Sequence, residues 1–164
     1  MKYKDPLTGF DFLGMQDVSG FKFGMVLPLP ALSTRSSSAT VNHPDKRSMV
    51  NENDAIIQII SPLKEGGGWG GIVFGQSMVG SLMIVVWPAS SASSLSAKRD
   101  LKPARRDVLN SPRIATTKTA SGVGLYKDAP LTFSQIKKGT FANESHVVAT
   151  FVCGGCVGAK NSFS

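Results

Sequence analysis

Few side chains in this chain of 164 residues carry chemistry of their own, and the spacing of each invites a specific test. Gly66, Gly68 and Gly71 satisfy G-x-G-x-x-G after the strand-like run "AIIQII" (Ala55 to Ile60). A dinucleotide-binding loop needs a helix after its glycines, so that the helix N-terminus can hold a pyrophosphate. Here "IVFG" and "SLMIVVW" follow, both strand-like, and no acidic residue stands where a ribose contact is required. The glycines are expected to form a turn between strands. "GQSMV" (Gly75 to Val79) falls one residue short of a nucleophile elbow, since Val79 occupies the place of the second glycine. Its Ser77 has only His43 and His146 as candidate bases.

Cys153 and Cys156, in "CGGC", are the only cysteines. Zinc requires four ligands, and the histidines are not at finger spacing. A redox pair of the thioredoxin kind opens a helix, which no pattern here supplies. Covalent haem attachment needs C-x-x-C-H, and residue 157 is Val. A local disulfide in an oxidising compartment is the reading that survives.

The elements that must position these residues read as strands. "GFKFGMVLPLP" (from Gly20), "AIIQII", "GGIVFG", "SLMIVVW" (from Ser81) and "HVVATFV" (from His146) are short, β-branched or aromatic, and bounded by Gly, Pro or Ser. No window sustains the helical i, i+3, i+4, i+7 pattern, and Pro103 interrupts the best charged candidate. The class is all-β, an antiparallel sandwich in a single domain over 1–164. Hydrophobic residues at 41% and charged residues at 18% give a globular chain, and no apolar run is long enough to span a membrane. The opening "MKYKDPLTGF" contains no signal-peptide h-region.

The formal charge of +7 is concentrated in "AKRDLKPARRD" (Ala97 to Asp107). No aromatic side chain is interleaved with these cations to stack on bases, so nucleic acid is not the expected partner and the run reads as a solvated loop. It belongs to a low-complexity, Ser/Ala-rich and basic insertion at about 88–110.

Four strings taken in order carry a resemblance: "YKDPLTGFDFLG" (Tyr3 to Gly14), "GWGGIVFGQSMVGSLMIVVWP" (Gly68 to Pro88), "SPRIAT" (Ser111 to Thr116) and "NESHVVATFVCGGC" (Asn143 to Cys156). Together they are similar to the cytochrome domain of fungal cellobiose dehydrogenases, within the wider DOMON group. The resemblance implies an immunoglobulin-like β-sandwich holding one non-covalent haem b. Met78 and His146 fall on the family's axial iron ligands, with Met83 the rival sulfur, taken as core. Met/His ligation closes both axial positions and suits electron transfer.

By the same resemblance, the chain is an electron carrier and not itself an enzyme. It would receive electrons from a flavin dehydrogenase and pass them to an acceptor such as a copper polysaccharide monooxygenase, in an extracellular setting. Asn143, in "NES", is the chain's N-x-[ST] acceptor and reads as a glycosylation site. Trp69 is expected to pack in the sandwich near the haem. The chain departs from the family at Lys118, which stands where an aromatic residue commonly lies near a propionate and is assigned that contact here. It also departs at the long 88–110 stretch, and at its end, which comes before the family's closing strands and implies an incomplete sandwich. The alternatives are a haem-free DOMON-type ligand- or carbohydrate-binding module, or a non-functional truncated product.

Overall fold

The computed structural model describes residues 1–27, 53–65, 67–75, 77–89, 106–115, 123–125, 127 and 131–157. Among them the regular structure is extended, apart from a 3-10 turn at Lys137–Gly139. The strands are β1 (Lys2–Lys4), β2 (Asp11–Gln16), β3 (Lys22–Val26), β4 (Ala55–Pro62), β5 (Gly70–Phe74), β6 (Leu82–Pro88), β7 (Val108–Ala115), β8 (Val123–Leu125), β9 (Thr132–Gln135), β10 (Phe141–Ala142) and β11 (His146–Gly154). Pro88 closes β6 and Val108 opens β7, so both ends of the 88–110 stretch are strand.

Every pairing is antiparallel, and the strands form two sheets. The first runs β1-β2-β3-β4-β11-β10, with β9 also on β11; the second runs β5-β6-β7-β8. β9 and β10 share one side of β11, along Phe151–Gly154 and Val147–Val148 respectively. The 3-10 turn jogs the chain between them. Thr140 bridges the break through its hydroxyl, which donates to the Thr150 carbonyl at 2.8 Å and accepts from the Thr150 N–H at 3.0 Å. A side chain thereby replaces the ladder bonds that the split edge lacks.

The sheets face each other across one apolar core. β4 contributes Ala55, Ile57 and Ile59; β6 contributes Leu82, Ile84 and Val86; β11 contributes Val147, Ala149, Phe151 and Cys153. The period of two in each set is the pleat of the strand. Burial of this kind gains roughly 25 cal/mol per Å² of apolar surface removed from water, which makes the core the main stabilising term.

β4 is buried on its other face as well, which explains why "AIIQII" reads as a continuous apolar run and not an alternating one. Gln58 is the exception inside that run and is fully buried. Its amide donates to Thr150 Oγ1 at 3.0 Å, its carbonyl oxygen accepts from the Tyr3 hydroxyl at 3.0 Å, and Thr150 Oγ1 donates on to the Gly139 carbonyl at 2.8 Å. Phe12, stacked against Tyr3 at 5.4 Å, is itself buried. A buried polar group without a partner costs about 1–3 kcal/mol, and this chain of bonds removes that cost for Gln58 and Thr150.

Burial first, and the negative charge of Asp5 second, push the Tyr3 hydroxyl up from 10.0 to about 12. The folded protein therefore keeps the proton at a pH where the unfolded chain has lost it. Stability from this group is complete below pH 10.0 and is lost as pH rises through about 12. Urea midpoints should fall across that window, and Tyr3→Phe should flatten the fall while costing about 1 kcal/mol at neutral pH for the lost bond to Gln58. An unchanged alkaline slope in the variant would show that Tyr3 is not its source.

Candidate functional site

Met78 lies in the turn of residues 75–81 that joins β5 to β6, beyond the closing pair Phe74 and Leu82. Two glycines shape this turn. A Cβ on Gly75 would stand 2.1 Å from Ser81 Oγ, and Gly80 has φ of 80°, a left-handed value that other residues adopt only with strain. The Met78 side chain is 48% exposed, so the core does not consume its thioether. Met83 differs. It is buried at 8%, and it pairs within the second sheet with Val73 and Arg113. Of the two sulfurs considered from the sequence, only Met78 is presented to an outside group.

His146 is the first residue of β11 and pairs with Pro62 at the end of β4. A tight turn delivers it. Asn143 Oδ1 accepts the N–H of Ser145 at 2.9 Å and the N–H of His146 at 2.7 Å, while the Asn143 N–H donates to the His146 carbonyl at 2.9 Å. This is the side-chain-closed turn that Asn favours. Leu63 N–H bonds the Ser145 carbonyl at 2.7 Å, tying the turn to the segment that leads into β5. The imidazole is half-buried, and its Nδ1 stands 2.9 Å from Ser145 Oγ.

Arg106 supports the same turn, a role that nothing in the sequence signals. Its backbone forms a reciprocal bridge with Ala142, at 2.9 and 3.0 Å, and its guanidinium donates to the Asn143 carbonyl at 3.0 Å. The solvated-loop reading of the basic run therefore fails at its last cation. A charge run reports composition only, whereas this arginine is recruited by a carbonyl that the turn leaves free. For the Asn143 turn itself the sequence did hold a signal, the N-x-S string immediately before a strand.

Trp69 corrects another expectation. It is 66% exposed and does not pack in the sandwich. Gly68, Gly70 and Gly71 surround it and offer no side chains to pack against, so the turn holds only its backbone, whose carbonyl accepts from Ser61 Oγ at 3.4 Å. At the far end of β11, Cys153 and Cys156 are joined by a disulfide and both are fully buried. Gly155 N–H bonds Asp54 Oδ1 at 3.1 Å, which fastens the loop to the start of β4. Lys118 and His43 lie outside the described residues.

Met78 and His146 thus stand on different sheets, one on a glycine-shaped turn and one at the head of the central ladder. A cleft of about 540 Å³ lined by Lys2, Tyr3, Lys4, Asp11, Phe12 and Leu13 contains neither of them. No cluster of three or more His, Cys, Asp or Glu suited to a metal ion occurs among the described residues. No helix among them is long and apolar enough to cross a membrane. The donors on offer are a thioether and an imidazole, a pair that suits a haem iron far better than a free zinc or calcium ion.

Residues 33–104 match the family described as the cytochrome domain of cellobiose dehydrogenase. The matched stretch includes Met78 and ends before His146. The fold is similar to that of the cytochrome domain of Myriococcum thermophilum cellobiose dehydrogenase, with TM-score 0.65 and 23% identity, over 98% of this chain and 64% of that one. It is also similar to the cytochrome b domain of pyranose dehydrogenase from Coprinopsis cinerea, with TM-score 0.62 and 16% identity, over 99% of this chain and 66% of that one. The chain therefore spans about two thirds of the length of either domain. No curated protein matches the chain in sequence. In its 33–104 segment by family and along nearly all its length by fold, the chain resembles the cytochrome domain of cellobiose dehydrogenases.

Proposed function

We propose that this chain is a b-type cytochrome domain that carries single electrons between redox proteins. The observation that carries the reading is a thioether left out of the core, that of Met78, inside the stretch that matches the cytochrome family. Met78 and His146 are the two protein ligands, one from each sheet. Haem held by Met78 and His146 would supply a one-electron couple at its iron, and a thioether–imidazole pair would suit electron transfer. The chain's own part is to hold the imidazole, to present the sulfur, and to keep water from the iron with apolar strand residues. Lys118 pairs with a propionate carboxylate.

The donor is a flavin dehydrogenase and the acceptor a copper polysaccharide monooxygenase or another redox protein. The setting is extracellular, which suits the buried Cys153–Cys156 disulfide. Asn143 carries a glycan there, its sequon lying in the exposed turn before β11.

Haem titrated into the purified chain should give a sharp Soret band, with resolved α and β bands after dithionite. Met78→Ala should convert this low-spin spectrum to a five-coordinate or water-ligated one, and His146→Ala should largely abolish binding. Persistence of the unaltered low-spin spectrum in either variant would sink the ligand assignment. A folded protein that takes up no haem would point instead to a haem-free binding module.

Charge gives a separate test. With a net charge of +7, association with an acidic redox partner should slow as salt rises, because exposed charges are screened over about 8 Å at physiological ionic strength. Transfer rates that do not respond to salt would show that charge does not steer the encounter.

A further inference from the structure

The turn before β11 contains a proton-counting constraint. Ser145 Oγ lies 3.1 Å from Asn143 Oδ1 and 2.9 Å from His146 Nδ1. The identity of Asn143 Oδ1 is fixed, because the same atom accepts the backbone N–H groups of Ser145 and His146. A carbonyl oxygen only accepts, so the bond between it and Ser145 must use the serine's proton. Ser145 has one such proton and has then spent it. With that proton directed at Asn143 Oδ1, the Ser145 oxygen faces His146 Nδ1 as an acceptor, an arrangement that matches a hydrogen on Nδ1.

From this we infer that Ser145 is a positioning residue for His146. It fixes the neutral imidazole in the Nδ1–H form, with the lone pair on Nε2. The relay runs from Nδ1–H to Ser145 Oγ, and from Ser145 O–H to Asn143 Oδ1. Neutral imidazoles free of such contacts favour the opposite tautomer, whose Nε2 carries a hydrogen and cannot ligate. A partner on the second nitrogen also makes the ligating nitrogen more basic and holds the plane of the ring.

The tautomer assignment stands on the turn alone; its consequence for iron rests on the reading of His146 as a haem ligand. Nothing in the spacing of Asn143, Ser145 and His146 marks this relay, since N-x-S already has the sufficient meaning of a glycan acceptor. The serine hydroxyl thus has two uses, and the two are separable by experiment.

The test uses the full chain produced without glycosylation, so that loss of the sequon in a variant changes nothing else. In the haem-free protein at about pH 9, where an imidazole is neutral, nitrogen-15 spectra of His146 should show the Nδ1–H tautomer. Ser145→Ala should shift the ring toward Nε2–H, and Ser145→Thr, which keeps the hydroxyl, should restore the wild-type signature. A wild-type ring in the Nε2–H form, or a ring unchanged by Ser145→Ala, would overturn the inference. With haem bound, Ser145→Ala should weaken affinity about tenfold, the lower end of the ~10–100-fold seen for outer-shell partners. It should also raise the reduction potential, since a less basic imidazole stabilises the ferric iron less, and Ser145→Thr should behave as wild type. Unchanged affinity and potential in Ser145→Ala would overturn the consequence for iron. Failure of the haem reading itself looks different: His146→Ala would then leave haem binding intact while the tautomer effect in the haem-free chain persisted.

Discussion

The rest of the molecule depends on the register of the β4–β11 ladder, and Gln58 facing Thr150 is the pair that fixes it. Both strands are buried on both faces, so hydrophobic patterning alone distinguishes the two possible registers poorly. A slip of one residue in β4 would turn Ile57 and Ile59 away from the second sheet and drive Gln58 into the apolar core, and a slip in β11 would do the same to Phe151 and Thr150. The polar pair is satisfied only where Tyr3 and the Gly139 carbonyl can reach it. Two buried polar groups therefore discriminate between registers by the several kcal/mol that leaving both unpaired would cost. That ladder sets the position of His146 at one end and of Cys153 at the other.

The strands legible in the sequence are those whose residues meet the core on at least one full face. β4, β5, β6 and β11 are β-branched or aromatic runs, and β3 begins as an alternation. β1, β8 and β10 are two or three residues long and carry no period that a sequence can display. β2 is longer, but its "DFLGMQ" buries Phe12 alone and leaves Leu13 and Met15 exposed. Its place in the sheet comes from pairing with β1 and β3, which is a tertiary fact. The jog between β9 and β10 was equally invisible, because it rests on one threonine side chain replacing a ladder bond.

The site divides in the same way. Met78 and His146 are singled out by the family resemblance, because type and spacing alone mark a methionine between strands as core filler and a lone histidine as structural. Trp69 misled, since aromatic residues ordinarily bury themselves, and only the geometry shows that its neighbours are glycines. Ser145 and Arg106 could not be found by type or spacing. Each acts through a carbonyl or a ring nitrogen whose direction is set by a turn, and direction has no signature in the order of residues.

A consequence follows for how the two proposed ligands share their task. His146 belongs to an eight-pair ladder, and its backbone N–H is held by Asn143. Its position is therefore settled by folding, before any ligand arrives. Met78 sits on a turn with glycines at 75 and 80, and its unbranched side chain is half exposed. Ordering such a methionine costs up to ~1.5–2 kcal/mol of rotamer entropy, which a bond from its sulfur to iron would have to offset. With its backbone already fixed, His146 would be the anchor of such a pair and the Met78 thioether the adjustable member. Were haem held by this pair, the imidazole's part would follow from hydrogen bonding at Nδ1, a matter of electron donation, and the thioether's part from the conformational freedom of a glycine turn.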